Sequence, residues 1–255
     1  MRIVPPAASD GFNDSSDAAA SVLAALFKVL PVSEHASLAL SPAARSVPLC
    51  GIEDSAWLTE QMRLHQALWR IEDPHSLATL WWYLVAPWAV GPTVVSLVAG
   101  TDILSADVAD LEIHILPDGR ITGATSHRVL AGSDRIESAA ASIRNLYEQV
   151  VPVLAEYGQM RERPLWAIAA DALANRLLWL GRATQPDLAG VHRVTGLLEP
   201  LSRAIGDPLP VTRYSGTGNL TTMHTRRCSC CLIYRTPGGS MCASCPRGGD
   251  RRRKS

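Results

Sequence analysis

The chain has 255 residues, 47% of them hydrophobic, and a formal net charge of zero. That length and apolar content suffice to bury a core, and they exclude a chain disordered throughout. Zero net charge leaves the molecule as a whole without the electrostatic footprint of a nucleic-acid binder, so no nucleic-acid partner is expected. Basic residues gather late, in a tail over residues 249–255 that reads as a solvated end.

The first stretch, residues 1–13, reads as a flexible N-terminus. It lacks the apolar run of a secretory signal, which argues for a reducing, cytoplasmic setting. Asp14, Ser15 or Ser16 would cap a helix over residues 18–30, stopped by Pro31. Residues 32–51 are rich in Ser, Pro and Ala and read as irregular. A second helix is expected over residues 54–70, with Trp57, Met62, Leu68 and Trp69 on its apolar positions. Asp73-Pro74 supplies an N-cap and a first-turn proline for a third, ending at Pro87.

From residue 76 to residue 101 no side chain is charged, which meets the length criterion for a membrane span. Pro87, Gly91 and Pro92 interrupt it, and the β-branched run Thr93-Val94-Val95 favours a buried strand over residues 93–99. Helix plus strand in a protein core is therefore the preferred reading, and it leaves room only for peripheral association with the inner face of a membrane.

Leu111-Glu112-Ile113-His114-Ile115-Leu116 alternates as a strand. The turn sequence Pro117-Asp118-Gly119-Arg120 follows, and Ile121-Thr122-Gly123-Ala124 returns beside it. Ser133 opens a long helical pattern through Val150, which Pro152 should kink or split. Further helices are expected over residues 164–180, capped by Gly181, and over residues 188–205. Beyond Gly206 no periodicity holds.

The fold class is thus α+β: a mostly helical body over residues 14–210 with a small antiparallel β unit, then a short C-terminal module over residues 211–248. That module is too small to stand on an apolar core alone, and a metal centre would stabilise it.

Of six cysteines, Cys50 stands alone, while Cys228, Cys230, Cys231, Cys242 and Cys245 crowd into the module. A disulfide framework would spread its cysteines along the chain. Cys230-Cys231, ten intervening residues, then Cys242-Ala243-Ser244-Cys245 gives two thiol pairs, and Thr236-Pro237-Gly238-Gly239 is a turn that folds one onto the other. Structural zinc favours C-x-x-C on both sides. An adjacent Cys-Cys pair sits more easily on a two-iron body, and Cys-Pro closes ferredoxin motifs. Spacing alone leaves iron–sulfur and zinc both open.

The segment Arg226-Arg227-Cys228-Ser229-Cys230-Cys231, continued to Cys242-x-x-Cys245-Pro246, resembles the C-terminal signature of the FhuF-type ferric siderophore reductases, Cys-Cys-x10-Cys-x2-Cys. The resemblance implies a 2Fe-2S cluster ligated by Cys230, Cys231, Cys242 and Cys245. It also implies one-electron reduction of siderophore-bound Fe(III), with a ferric siderophore of hydroxamate type as substrate and an electron donor such as a ferredoxin. Cys228 is not required by the pattern. Together with Arg227, Arg235 and His224 it is a candidate for the surroundings of the cluster. Alternatives of another class are a non-catalytic iron–sulfur sensor and a zinc-stabilised interaction module.

Other features read as structural. Trp81, Trp82, Trp88, Trp166 and Trp179 could stack on an aromatic siderophore but are expected in the core. His114 is expected at the solvent face or in a structural hydrogen bond. The glycines of Ser215-Gly216-Thr217-Gly218-Asn219 lack the strand and helix of a dinucleotide fingerprint, and the chain has no phosphate loop of the Gly-Lys-Ser/Thr kind.

Overall fold

The computed structural model describes residues 10–242 and 245–246, with side chains from residue 15 onward. Residues 1–9 of the expected N-terminal segment and the basic tail lie outside the described residues.

The first helix, α1 (Asp10–Val29), begins four residues ahead of the first expected cap, Asp14, and ends where Pro31 follows. The stretch expected to be irregular holds α2 (Val32–His35), β1 (Arg45–Pro48) and a 3-10 turn over Leu49–Glu53. Short elements of this kind escape detection by periodicity because they hold about one helical repeat or two strand repeats, too few to recognise. Next comes α3 (Ser55–Trp69), capped by Asp54, whose carboxylate accepts the amides of Ala56 and Trp57. Its C-cap is Arg70, in the left-handed region at φ 52°, ψ 45°.

Asp73 caps α4 (Pro74–Ala89) through the Ser76 amide, as expected. The next segment departs from expectation: residues 91–99 form a helix, α5 (Gly91–Ala99), and not a strand. Pro92 occupies its first turn, where proline is pre-set for helix. Thr93 and Ser96 satisfy their hydroxyls on the carbonyls of Leu104 and Pro92. Burial against α1, α6 and β3 outweighs the β-propensity of Val94 and Val95. Pro87 does not end α4 either; it lies buried inside the helix. Together Pro74–Ala99 is the one stretch among the described residues apolar and long enough to cross a membrane, and 67% of its most apolar window is buried within the protein.

β2 (Leu111–Ile115) and β3 (Ile121–Ser126) pair antiparallel across the expected turn, where the Gly119 amide bonds the Leu116 carbonyl and Gly119 has φ 89°. β1 adds on the other side of β2, giving the antiparallel order β1-β2-β3. His114 is fully buried and not at the solvent face; the structural hydrogen bond is present, with Nε2 2.9 Å from Thr125 Oγ1.

α6 (Arg135–Tyr157) is capped by Asp134 rather than Ser133 and runs unbroken through Pro152. α7 (Arg163–Thr184) passes through Gly181, which is buried in van der Waals contact with Val191 and Val194. The helix expected over 188–205 is two, α8 (Leu188–Thr195) and α9 (Leu198–Ile205), parted at Gly196. Between the helices Trp82, Tyr147 and Trp166 stack edge to face in series, each pair 5.9 Å apart. Trp81, Trp82 and Trp166 are buried as expected, whereas Trp88 is half-buried and Trp179 is exposed, on the side of α7 turned from the core.

One charge pair is sealed in this body. Arg176 on α7 reaches Glu34 on α2 at 2.9 Å and Ser37 Oγ at 3.1 Å, and its side chain is 2% exposed. α7 therefore carries both the apolar centre and the attachment of the N-terminal elements. Its other face receives the C-terminal segment.

Candidate metal centre

The C-terminal segment opens with a hairpin that the sequence does not announce, β4 (Arg213–Ser215) paired antiparallel with β5 (His224–Arg226). Three-residue strands leave no alternation to read. The hairpin is fixed to α7: the Tyr214 hydroxyl donates to the Ala174 carbonyl at 2.9 Å, and Met223 packs with Leu178 and Val191. Arg182 of α7 donates to the carbonyls of Leu220 and Met223.

From β5 the chain runs directly into Arg227-Cys228-Ser229-Cys230-Cys231. Asp171, in the middle of α7 and 1% exposed, holds this run in place. Its Oδ1 accepts from the Cys228 amide and Thr212 Oγ1, each at 3.0 Å. Its Oδ2 accepts from the Ser229 amide at 2.9 Å and Ser229 Oγ at 2.5 Å. A buried carboxylate with this many donors is a fixed anchor. Sequence reasoning missed Asp171. The available signal was a charged residue inside the apolar run Ala169-Ala170-Asp171-Ala172-Leu173, which a helix buries only when partners await it.

Arg227 stands beside that anchor. Its Nε is 3.6 Å from Asp171 Oδ2, an ion contact too long for a hydrogen bond, and its guanidinium lies 4.7 Å from the centre of the Tyr83 ring of α4. Nη1 points to two sulfurs, Cys242 at 3.5 Å and Cys231 at 3.8 Å. Burial alone would weaken its proton affinity; Tyr83, Cys231 and Asp171 outweigh that and push its pKa up, so the residue is a permanent buried cation.

After Cys231 the backbone turns at Leu232 (φ 59°) into a short 3-10 turn, Ile233–Arg235. The expected turn over Thr236-Pro237-Gly238-Gly239 follows: the Gly239 amide bonds the Thr236 carbonyl at 2.8 Å, with Gly238 at φ 76°. Glycine there is the type II turn's requirement. The second pair is closed by the Cys245 amide on the Cys242 carbonyl at 3.0 Å. Cys230 and Cys245 then stand with sulfurs 3.9 Å apart. Cys231 and Cys245 are buried, while Cys230 and Cys242 are half-buried.

Of the other expected neighbours, Arg235 points the opposite way, to Ser76 Oγ (2.8 Å) and Asp73 (3.3 Å) at the start of α4. It clips the loop to the body. His224 is exposed on β5, its Nδ1 2.8 Å from the Thr222 carbonyl. Cys228 faces Asp171, the Ala167 carbonyl and Thr212 Oγ1, the last at 3.4 Å. Burial, followed by the Asp171 charge, pushes its thiol up to about 11 even though the Thr212 hydroxyl pulls it down. Burial also raises Cys230.

The four thiols of the two pairs suit an iron–sulfur body. Two thiolates on one tetrahedral metal lie about 3.8 Å apart, given metal–sulfur bonds near 2.3 Å. The Cys230–Cys245 separation has that spacing. Cys231 and Cys242 share the same N–H donor, a group whose charge matches sulfurs that carry negative charge. Among the described residues no three metal-binding side chains gather as a single-ion site.

Residues 227–247 match the family model of the FhuF 2Fe-2S C-terminal domain. The segment is thus similar to the FhuF-type 2Fe-2S domains. Its cofactor is accordingly a 2Fe-2S cluster, which settles the choice between iron–sulfur and zinc that spacing left open. No curated protein matches the chain. The FhuF-type match begins at Arg227 and so takes in the guanidinium as well as the thiols.

Proposed function

We propose that the protein is a ferric siderophore reductase of the cytoplasm, passing single electrons to chelated Fe(III) through a cluster held by Cys230, Cys231, Cys242 and Cys245. The observation that carries this reading is the pairing of those thiols in an FhuF-type domain with a buried arginine donating to two of them. When bound, a 2Fe-2S cluster supplies one electron at a time. The chain's contribution is to hold the sulfurs on a loop anchored by Asp171, to compensate their charge with Arg227, and to keep one edge, at Cys230 and Cys242, only half-buried.

The chemistry suits the task. A siderophore holds Fe(III) with hard oxygen donors. One added electron gives Fe(II), whose lower charge those oxygens grip far less tightly. A cluster held by these thiols would supply that electron, and an external one-electron donor such as a ferredoxin would replace it. No general acid, nucleophile or metal-bound water is required. Hydroxamate chelates are the favoured substrates on the family resemblance.

The test is made without oxygen on cluster-loaded protein. Dithionite should bleach the visible absorption and raise a spin-half EPR signal. A ferric hydroxamate should then restore the absorption while an Fe(II)-specific chelator develops colour in equal amount. A reduced cluster that no ferric chelate reoxidises would remove the enzymatic reading and leave a non-catalytic iron–sulfur module.

A further inference from the structure

An open pocket of about 590 Å³ lies between the C-terminal end of α3 and the cluster loop. One wall is Trp69 and Arg70; the other is Ile233 and the turn Thr236 to Ser240. That second wall is the segment joining the two cysteine pairs, and Ile233 and Ser240 each lie two residues from a cluster cysteine. The volume falls within the range of small-molecule sites. Electron transfer weakens steeply with distance, so a chelate seated here would lie against the loop that bears the thiols.

Two features of Arg70 mark it as more than a wall. It closes α3 in the left-handed conformation, φ 52°, a position where glycine or asparagine is the unstrained choice. Its side chain is exposed at the pocket and takes part in no ion pair among the described residues. The neighbouring Arg235 is already committed to Asp73 and Ser76. A left-handed backbone that holds an exposed, unpaired guanidinium at the pocket is arranged for an oxygen-rich anionic surface.

We propose that this pocket is the docking site of the ferric chelate, and that Arg70 binds the anionic oxygens surrounding its iron. This rests on the reductase reading for the identity of the ligand, but not for the existence of the site. Hydroxamate and catecholate chelates share that oxygen shell; catecholates carry net charge as well.

The test uses cluster-loaded protein and redox-inert Ga(III) complexes of a tris-hydroxamate and a tris-catecholate, with binding read by calorimetry. Reoxidation of the reduced cluster by the matching Fe(III) chelates gives KM. Arg70→Gly relieves the backbone strain, so its thermal midpoint should hold or rise, and the cluster's EPR signal should be unchanged. Its Kd and KM should nevertheless rise about tenfold, the loss of one charge-assisted contact. Arg70→Lys should recover most of the loss. Loss for both chelates supports recognition of the oxygen shell, and loss for the catecholate alone supports recognition of net charge. Wild-type protein that binds neither Ga(III) complex, or Arg70→Gly binding both as wild type does, would overturn the site. The latter result, with wild-type cluster still reoxidised by Fe(III) chelates, leaves the reductase reading intact. Arg70-dependent Ga(III) binding without reoxidation leaves the site intact and removes the reductase reading.

Discussion

Arg227 and Cys228 are neighbours with opposite roles. The Arg227 guanidinium is 3% exposed, within reach of Cys231 and Cys242, and kept charged by Asp171 and the Tyr83 ring. A buried cation donating to cluster sulfurs stabilises the reduced, more negative state and raises the potential. Arg227→Gln should therefore lower the midpoint potential. A charge-assisted hydrogen bond contributes about 1.5–3 kcal/mol, and at about 59 mV per tenfold change for one electron the shift is at most on the order of 130 mV. A dithionite-mediated redox titration followed by visible absorption reads it, and an unchanged or higher potential would refute the role. Cys228, one residue on, turns its sulfur to Asp171 and Thr212. Cys228→Ser should keep the full visible spectrum and iron content, whereas serine at Cys230, Cys231, Cys242 or Cys245 should abolish or alter both. Loss of iron in Cys228→Ser would redraw the ligand set.

At the level of elements, the cluster loop has no core of its own and depends on α7 and α4. Asp171 joins α7 to the loop, and Arg235 joins the loop to the N-cap of α4. Removing the Asp171 carboxylate strands the amides of Cys228 and Ser229 and the Thr212 hydroxyl, each an unmet buried donor costing about 1–3 kcal/mol. Asp171→Ala is expected to lower unfolding free energy by about 3 kcal/mol or more in urea and to release the cluster faster on exposure to an iron chelator. Asp171→Asn keeps the acceptor oxygen on one side only and should fall between. A variant as stable and as slow to lose iron as wild type would show that the anchor is dispensable. The contrast between thiols and anchor explains what was legible in the sequence. Cysteine spacing and the Pro-Gly turn are local signals, and both are found in the structure. So are the caps at Asp54 and Asp73, where side chain and amide are neighbours in sequence. The missed elements depend on partners far away in the chain. Residues 91–99 carry a strand's composition but are helical because every face meets another helix or the sheet, and β4 and β5 exist only as a pair laid on α7. Asp171 could be noticed as out of place, but not matched to donors 41 and 57 residues away.

At the scale of the whole molecule, the body that carries the cluster loop is itself sensitive to pH. His65 on α3 is 1% exposed and lies edge-on to Trp81, with Nδ1 3.0 Å from the Gln61 carbonyl and Nε2 without a partner among the described residues. Burial pulls its pKa below the ordinary 6.5, and the Gln61 carbonyl only partly opposes this. His114, on the central strand of the sheet, is lowered by burial as well, with Glu112 opposing. Both rings therefore take a proton less readily in the fold than in the unfolded chain, which binds protons there from about pH 6.5 downward. The unfolded state then holds more protons, so stability rises with pH through this window and falls as pH drops from about 6.5 toward each lowered folded value. The carboxylates held low by hydrogen bonds, Asp73 through Ser76 and Glu112 through Ser46, act in the same direction but only below their unfolded values of 3.8 and 4.5. A comparison of pH 7.5 with pH 5.5 thus leaves the carboxylates out; the cluster thiolates, which take up protons when unfolding releases the cluster, contribute alike in every variant, so the His65 part is the change that His65→Gln makes. Urea midpoints of cluster-loaded protein should be lower at pH 5.5, and His65→Gln should flatten the difference whatever it does to stability at pH 7.5. A midpoint indifferent to pH across that interval, or a slope that His65→Gln leaves unchanged, would mean that the ring beside Trp81 accepts its proton without opening the fold. α3 carries His65 on its buried side and ends at Arg70, so the same acidification that loosens its packing would loosen the wall facing the cluster loop.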